Sequence, residues 1–387
     1  MQQRKKVLFT SHVANFAKFN QPFMRWFKQQ SYEVHYASVG EELVANADKH
    51  FVVSFERSPF KLNNVRAIKQ LRQIIDSEGY DIIHTHTPMG SVITRIAATK
   101  ARKNGTRVVY TAHGFHFFTG APFVNWVLYY PIERIMARLT DTLVTINLED
   151  YKRAKHQFKT NVEYVPGVGV DPDRFKRMTT TEKSQLQASL GIKPKDIVMV
   201  YAAEISHRKR QIWLINTLRE LIATNSNFHL LLAGSDSLNG ASQKLVHDYN
   251  LENNIHFLGY RSDIPQLMMI SDIALSASSQ EGLPVNIMEA MYAGLPIVAT
   301  DCRGNRDLVM NGINGHLVDQ NNSQAFTKRV EQLAGDKLLR VAMAKNGKRI
   351  IESYMIDVVI PKMASIYTNF GVQQEDAIST TEHAYGK

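Results

Sequence analysis

The segment SSQEGLPVNIMEAMYAGLPIVATD, residues 278–301, decides the fold of this chain. An apolar strand ending near residue 278 is followed by a Gly-Leu-Pro turn and by a helix that Gly294 should end. The apolar run PIVAT (296–300) then reads as another strand. A strand, a helix and a second strand in succession predict a parallel α/β sheet.

The start of this helix is predicted to bind an anion. The N–H groups of Gly282, Leu283 and Val285 would lie at the positive end of the helix without partners inside it, whereas Pro284 has no N–H. Glycine at position 282 would also let a ligand approach the backbone closely. A phosphate group fits these donors without needing a lysine.

Two glutamates stand on either side of the helix start, and each is predicted to bind hydroxyl groups. A carboxylate accepts two hydroxyl donors and repels a second phosphate. Glu281 would reach hydroxyls just beyond the phosphate, and Glu289, inside the helix, would bind a vicinal diol such as a ribose. A diphosphate between a sugar and a ribose is a sugar nucleotide. In the alternative interpretation, one glutamate stabilises the helix and the other is merely solvated.

The alternation of strand and helix continues along the whole chain. Strand candidates in the two halves are 6–10, 33–37, 51–55, 81–85, 107–111 and 142–146, then 197–204, 229–234, 255–259, 273–278 and 296–300. The sequence therefore predicts two Rossmann-like doubly wound α/β domains, 1–170 and 171–352, that face each other across a cleft. A helix at 353–370 should pack back on the first domain, and the polar tail 371–387 should be disordered.

Length, charge and cysteine content bound the class of protein. The 387 residues exceed what one core usually holds, and 44% hydrophobic with 21% charged residues is typical of a globular protein. The net charge of +10 is concentrated in residues 1–180, which hold 26 basic and 15 acidic residues. This imbalance indicates an anionic partner or surface, or a basic face that serves solubility alone. One cysteine, no signal-peptide pattern and no membrane-spanning apolar run predict a cytoplasmic protein.

The segment 281–301 closely resembles the donor-site motif of the family 4 glycosyltransferases, the retaining group with the GT-B fold. The resemblance extends over nearly the whole chain and includes HLLLAGSD (229–236) and IHFLGYRSDIPQLM (255–268). It implies two Rossmann-like domains and an activity that transfers sugars.

The resemblance also implies a role for each residue of the motif. Glu281 would contact the donor sugar and support the transition state, while Glu289 would bind the ribose. The amides of residues 282–285 would hold the diphosphate. A backbone cradle for the nucleobase is implied around Gly259, Tyr260 and Arg261.

A basic cluster in AAEISHRKRQ (202–211) matches the family's phosphate-binding turn in part. Lys209 matches the lysine that binds the diphosphate and is expected to act in catalysis. Glu204 occupies the position where the family usually has arginine. Either Arg208 takes over the phosphate contact, or Glu204 turns away and orders Lys209 or Arg208. A solvated charge cluster at a helix start is the third interpretation.

Three histidines, in HTHTP and TAHGFHFF, end neighbouring strands of the first half. His84 and His86 alternate at the end of one strand and His113 ends the next, so all three can face the cleft. The resemblance implies that His113 touches the donor sugar, whereas His84 and His86, with Asn15, are candidates on the acceptor side. A buried role without a ligand is equally open for His84. Zinc would need a further cysteine or carboxylate that the sequence does not place here.

The sequence DPD at 171–173 fits the Asp-x-Asp pattern of metal-dependent glycosyltransferases. It follows VPGVGV, where the family has its domain-linking turn, so we interpret it as a turn. We expect neither a divalent metal nor another cofactor, because helix amides and Lys209 should neutralise the leaving diphosphate.

The acceptor side departs from the common family pattern, in which many members have a Gly-Gly loop after the first strand. This chain has no glycine before Gly40, and its run is similar to that of a bacterial capsule and exopolysaccharide subgroup. The stretch 121–141 places aromatic residues beside Arg134 and Arg138, as on a surface that rests on anionic lipid. A helix packed in the core would have the same pattern. A lipid-linked or saccharide acceptor and a peripheral position on the inner face of the plasma membrane are expected.

The expected reaction is hexosyl transfer from a nucleoside diphosphate sugar, with UDP as the expected nucleotide and with retention at the anomeric carbon. No residue is a convincing covalent nucleophile, so attack on the face of the leaving group is expected. Two other classes stay open, a UDP-sugar 2-epimerase of the same architecture and a basic nucleic-acid-binding protein. Nucleic acid is not the expected partner, because the candidate site has glutamates at its centre.

Overall fold

The computed structural model describes residues 4–58 and 61–368, so the tail predicted at 371–387 lies outside the described residues. Within these residues the chain forms two sheets, one in each half. The first consists of β1 (Lys6–Thr10), β2 (Glu33–Ser38), β3 (Lys49–Val52), β4 (Ile82–His86), β5 (Arg107–Ala112), β6 (Thr142–Thr145) and β7 (Asn161–Tyr164). The second consists of β8 (Ile197–Ala202), β9 (Phe228–Ala233), β10 (Ile255–Gly259), β11 (Ile273–Ser276), β12 (Ile297–Thr300) and β13 (Gly315–Val318).

Helices connect these strands. They are α1 (Gln21–Gln29), α2 (Asn63–Glu78), α3 (Pro88–Ala97), α4 (Thr99–Lys103), α5 (Phe123–Met136), α6 (Leu148–Gln157), α7 (Thr180–Ser189), α8 (Gln211–Thr224), α9 (Ala241–Asp248), α10 (Ile264–Met269), α11 (Val285–Ala293), α12 (Asn305–Leu308), α13 (Ser323–Gly335), α14 (Lys337–Ile351) and α15 (Ile356–Thr368). Short 3-10 helices lie at Ala14–Phe19, Ala137–Leu139, Pro172–Arg174 and Glu352–Tyr354.

Both sheets reverse their strand order, as doubly wound sheets do. The orders are β3-β2-β1-β4-β5-β6-β7 and β10-β9-β8-β11-β12-β13, and the neighbouring strands pair in parallel. All carboxyl ends of one sheet therefore share one edge, with a crevice where the order reverses, between β1 and β4 and between β8 and β11. This confirms the fold class predicted from the sequence.

Central strands are apolar because helices cover both faces of each sheet. The apolar runs predicted them well for this reason. Two edge strands, β7 and β13, were not predicted, because NVEY and GHLV lack a continuous apolar run. The third strand was placed wrongly at 51–55, since β3 begins two residues earlier and ends at Val52.

The last helix returns to the first domain. Val359, Met363 and Tyr367 of α15 lie in the core of that domain, and Tyr367 stacks on Trp26 of α1 with ring centroids 5.6 Å apart. The chain thus crosses between the domains a second time just before α15. The two crossing segments are hydrogen-bonded to each other, because the N–H and carbonyl of Val170 bond to residues 354 and 356 at 2.9 and 3.0 Å.

Candidate functional site

The candidate donor site lies where the strand order of the second sheet reverses. The loop after β8 carries Lys209, and the loop after β11 carries Glu281. The N–H of Ser279 donates to the carbonyl of Arg208 at 2.9 Å, and the hydroxyl of Tyr201 donates to the carbonyl of Lys209 at 3.0 Å. The first bond joins two loops whose bonded residues are 71 positions apart, and the second holds the loop after β8 against its own strand.

Glu281 is 7% exposed and binds two cations from the loop after β8. Lys209 Nζ donates to its Oε1, and Arg208 Nη1 donates to its Oε2 at 3.1 Å. Burial alone would raise the pKa of this carboxyl, but Lys209 and Arg208 outweigh burial and hold the pKa below its ordinary value. The structure therefore places an ionised carboxylate and two basic groups at one point beside the start of α11.

Glu289 lies in the second turn of α11 and is 6% exposed. Its Oε1 accepts a hydrogen bond from Arg174 Nη1, which belongs to the segment linking the domains. Burial raises the pKa of Glu289, and Arg174 offsets that rise in part. A ligand hydroxyl that binds this carboxylate competes with Arg174 for it.

The amides between the two glutamates are available to a ligand. Among the residues that the structure describes, no acceptor is recorded for the N–H groups of Gly282 and Leu283. Val285 opens α11, so its N–H lacks an intrahelical partner. As predicted, α11 ends at Gly294, which has a φ of 84°. A short helix with free donors at its start favours an anion there.

Gly282 also contacts the first domain directly. A Cβ at this position would lie 1.9 Å from the carbonyl oxygen of His113, so glycine is required by this contact. The sequence suggested glycine for the approach of a ligand, and the structure supplies a different reason. His113 and the start of α11 are therefore brought together across the cleft.

The loop implied for the nucleobase follows β10, two strands from β8. Gly259 has a φ of 63°, and the side chain of Tyr260 is largely exposed. Arg261 binds Asp263 through two hydrogen bonds of 2.7 and 2.6 Å. The loop is thus an exposed turn with a fixed arginine.

Glu204 does not order the basic residues of its loop. Its side chain is exposed and accepts a hydrogen bond from the hydroxyl of Ser237, while Lys209 and Arg208 bind Glu281 instead. Of the two alternatives for this loop, the one in which Glu204 turns away and orders Lys209 or Arg208 is therefore wrong, because both cations bind the buried Glu281.

His86 and His113 lie next to each other at the carboxyl ends of β4 and β5. His86 Nδ1 and His113 Nε2 are 3.0 Å apart and hydrogen-bonded, and the ring of Phe16 contacts His113 at a centroid distance of 4.8 Å. Burial lowers the pKa of His113 to about 4 and that of His86 well below its ordinary value. Both rings are therefore neutral at pH 7. His86 Nε2 has no hydrogen-bond partner within the described part of the chain.

His84 is not an acceptor-side group, contrary to one of the two sequence-based interpretations. Its side chain is fully buried, with Nε2 bonded to the hydroxyl of Thr111 and Nδ1 to the hydroxyl of Tyr367, each at 2.8 Å. Both ring nitrogens are thus used inside the protein. Asn15, the other acceptor-side candidate, lies exposed in the 3-10 helix after β1.

The DPD segment forms the predicted turn. The carboxylate of Asp171 accepts a hydrogen bond from the N–H of Asp173 at 3.0 Å and caps the 3-10 helix that follows. Arg174 ends this turn and binds Glu289, a role that the sequence analysis missed. The one sign of this role in the sequence was a cation beside DPD with no assigned partner. The pairing itself could not be predicted, because Arg174 and Glu289 are 115 residues apart.

Three further residues that the sequence analysis missed bind the domains together. Arg303 bonds to Asp150 at 2.9 Å, and Asp307 accepts a hydrogen bond from the N–H of Leu148 at 2.8 Å. Burial raises the pKa of Asp307 to about 6. A single sequence gives no sign that these charges meet, because each pair comes from different domains.

Two family models match the chain. The model for glycosyl transferases of group 1 matches residues 182–350, and the model described as glycosyl transferase 4-like matches residues 6–147. The first range contains the donor-side loops, and the second contains the histidine-bearing strands.

The chain is similar over most of its length to proteins with assigned names. It is 37% identical over 369 residues to EpsD of Bacillus subtilis (strain 168), which is named as a glycosyltransferase, covering 95% of this chain and 97% of EpsD. It is 26% identical over 332 residues to the UDP-Gal:alpha-D-GlcNAc-diphosphoundecaprenol alpha-1,3-galactosyltransferase of Escherichia coli, covering 84% of each. Anabaena Alr3699/HepE, solved with UDP and glucose, superposes with a TM-score of 0.78 at 20% identity, covering 94% of this chain and 99% of that one. This last likeness establishes the fold alone.

Proposed function

This chain belongs to the group 1 glycosyl transferases and has the GT-B fold, and on that premise we propose that it transfers a hexose from a UDP-sugar, with retention, to a lipid-linked or saccharide acceptor. The product would be part of a bacterial cell-surface polysaccharide. The observation that carries the proposal is the pair of buried glutamates around the free amides at the start of α11.

Each group of this site has a place in the transfer. The amides of Gly282 and Leu283, with Lys209 and Arg208, would bind the diphosphate and stabilise the negative charge that develops as the sugar leaves. Glu289 would exchange Arg174 for the ribose hydroxyls. When the donor binds, Glu281 would give up its bonds to Lys209 and Arg208 and accept hydrogen bonds from the sugar hydroxyls. The two cations would then be available to bind the phosphates.

Retention is proposed without a covalent intermediate. The leaving phosphate oxygen would accept the proton of the acceptor hydroxyl, which attacks on the same face of the sugar. His113, neutral at pH 7, would contact the donor sugar as a hydrogen-bonding group. Two basic side chains and the helix amides supply the charge that a metal ion would otherwise supply. Turnover should therefore survive EDTA.

A lipid-linked diphosphate saccharide is proposed as the acceptor. Two relatives are named for transfer to sugars carried on diphosphoundecaprenol. On α5, Phe123, Val124 and Val127 are 60–80% exposed, so one apolar face of this helix is not packed in the core. Arg134 and Arg138 continue that face, which suits an anionic bilayer surface. No helix in the described residues is both long and apolar enough to span a membrane.

A thermal-shift panel of nucleotides and UDP-sugars tests the donor proposal. UDP should raise the unfolding temperature, whereas ADP and GDP at the same concentration should not, because only a ligand that binds the folded state stabilises it. Release of UDP from a UDP-sugar should then require an added acceptor. Formation of an epimer from the UDP-sugar alone would contradict the transfer reaction.

Binding to vesicles tests the membrane proposal separately. The wild type should sediment with vesicles that contain phosphatidylglycerol and not with phosphatidylcholine alone. Replacing Val124 and Val127 by serine should reduce that binding. Equal sedimentation of the wild type with both vesicles would contradict a role for anionic lipid.

A further inference from the structure

Arg303 joins the two domains from a buried position after β12. The residue is 3% exposed. Its Nε donates to the carbonyl of Glu281 at 3.0 Å, and its Nη1 donates to the carbonyl of Phe115 and to Asp150 Oδ1, each at 2.9 Å. Glu281 belongs to the donor domain, whereas Phe115 and Asp150 belong to the other domain. One side chain thus ties the donor loop to two segments across the cleft.

Asp150 completes this arrangement from the first turn of α6. Its side chain is fully buried, and its Oδ2 accepts hydrogen bonds from the N–H of Phe115 and from Asn147 Nδ2, each at 2.9 Å. Both backbone groups of Phe115 are therefore held, the N–H by Asp150 and the carbonyl by Arg303. Phe115 stands two residues after His113. The bonds consequently fix the segment that carries His113.

The close approach of the backbones depends on glycine. A Cβ on Gly114, which has a φ of +127°, would lie 2.8 Å from Arg303 Nη2 and 3.1 Å from the Cα of Gly282. The guanidinium of Arg303 also lies over the ring of Phe118, 4.6 Å from its centroid. The segment from His113 to Phe118 therefore wraps around Arg303 with no room for a side chain at position 114.

A buried ion pair of this kind specifies geometry more than it adds stability. Taking both charges out of water offsets most of their mutual attraction. Burial raises the pKa of Asp150, and Arg303 works against that rise. Separating the domains would return both groups to water and break the bond. The pair therefore depends on the contact between the two domains that the structure shows.

We propose that Arg303 is a positioning residue, which forms a latch with Asp150 and holds His113 in register with Glu281 during sugar transfer. The inference rests on the proposed function, because it assigns the latch to turnover. Arg303 acts through the carbonyl of Glu281 and the backbone of Phe115 and touches no reacting group. UDP binding by the donor domain does not need the latch, whereas turnover does.

The experiment compares two conservative variants with a matched control. Arg303→Lys keeps the charge but loses the planar fork that makes three hydrogen bonds. Asp150→Asn keeps the shape but removes the charge. Arg306→Met is the control, because Arg306 lies three residues further on, in α12, and within the described residues its side chain is paired with the partly exposed Asp301. The full chain is used for each variant and for the double variant.

Three quantities are measured for each protein. Calorimetry gives the Kd for UDP, and the rate of UDP release from UDP-glucose and UDP-galactose, with acceptor, gives turnover. Small-angle X-ray scattering with UDP gives the radius of gyration. Circular dichroism and the Tm establish that each variant is folded.

Each single variant should lower turnover about 100-fold, because a misplacement of about 1 Å has this effect on a reaction that depends on position. The Kd for UDP should change less than about threefold, and the radius of gyration should rise. The double variant should be no slower than the slower single variant, since both substitutions disrupt the same arrangement around Phe115. Arg306→Met should match the wild type in every measurement.

Turnover of Arg303→Lys within threefold of the wild type would overturn the proposal. So would multiplied effects in the double variant, or a loss of UDP affinity as large as the loss of turnover. If the wild type neither binds UDP nor releases it from a UDP-sugar, the proposed function fails instead. The scattering comparison then still decides whether the Arg303–Asp150 bond closes the cleft.

Discussion

The two faces of the cleft hold their ionisable groups in different ways. On the face of the second domain, called the donor face after its proposed role, the carboxyl groups of Glu281 and Glu289 are paired with cations. On the face of the first domain, called the acceptor face after its proposed role, burial keeps His86 and His113 neutral, as it does His84 beside them in the core. A carboxyl group paired with a cation can exchange that cation for a ligand, whereas a buried neutral ring has no ion to exchange. The carboxyl groups of the donor face are therefore expected to change partners when a ligand binds, and His86 and His113 are expected to keep their bond to each other.

The largest effect is expected from Glu281→Gln, which removes a charge from the donor face. Turnover should fall about 10²–10³-fold, as when one stabilising group is lost from a transition state. Steady-state kinetics with a UDP-sugar measures this. Glu204→Gln is the control, because the exposed Glu204 contacts Ser237 and not the basic pair. An equal loss in both variants would contradict the placement of Glu204 outside the site.

Gly282→Ala should have the next largest effect, because it forces the two faces apart. The added Cβ would lie 1.9 Å from the carbonyl oxygen of His113, and backbone must shift to admit it. Turnover should fall about 100-fold if the loops move by about 1 Å. Gly335→Ala is the control, since no heavy atom of the described residues outside its own neighbourhood lies within 4 Å of a Cβ there. Wild-type turnover in Gly282→Ala would show that this contact does not set the geometry of the site.

Glu289→Ala should weaken UDP binding more than it lowers turnover at saturation. A hydrogen bond to a charged group contributes about 1.5–3 kcal/mol, so the Kd should rise about 10–100-fold. Calorimetry with UDP measures the change. Glu331→Ala, an exposed glutamate on α13, should leave the Kd unchanged. An unchanged Kd in Glu289→Ala would remove the ribose-binding role.

The donor face was predictable from the sequence because its signals are local. The glutamates, the turn and the helix-ending Gly294 lie within one short segment, so their spacing predicts the arrangement around α11. The sequence also placed the central strands, whose apolar runs are continuous. It missed Arg174 and Arg303, because their partners lie in other parts of the chain and are matched only by the tertiary fold.

The acceptor face was less predictable for a physical reason. A histidine at a strand end points to the cleft or into the core according to which helix covers that strand. For His84 the covering element is α15, whose Tyr367 lies 283 residues away in the sequence. The strand pattern therefore identified the histidines but not which of them is used by the fold.

Acidification should weaken the acceptor domain more than the donor domain. Burial lowers the pKa of His84 to about 3 and that of His86 well below its ordinary value. The unfolded chain, with a histidine pKa of about 6.5, takes up protons first, so stability is lost as the pH falls below about 6.5. By pH 5 the loss should reach about 2 kcal/mol for His84, and protonation of His86 should add to it in the same direction.

Urea unfolding at pH 7 and pH 5 measures this difference between the domains. The Trp213→Phe variant leaves tryptophan only in the first domain, and the Trp26→Phe/Trp126→Phe variant leaves it only in the second. The donor domain should lose less, because a strongly lowered histidine pKa occurs there for His256 within the described residues, whereas it occurs for His84, His86 and His113 in the first domain. Equal losses of unfolding free energy in the two domains would contradict the expected difference between them.

The smallest effect is expected from Tyr367→Phe, which deletes the hydroxyl bonded to His84 Nδ1. Leaving a buried ring nitrogen without a partner should cost about 1–3 kcal/mol of unfolding free energy. Because His84 faces the core, the KM for the acceptor should not change. Tyr292→Phe is the control, since no hydrogen bond of the Tyr292 hydroxyl is recorded in the described residues. A raised KM for the acceptor with an unchanged free energy of unfolding would indicate that His84 does affect acceptor binding. A ring that only packs in the core has no contact with the acceptor through which it could do so.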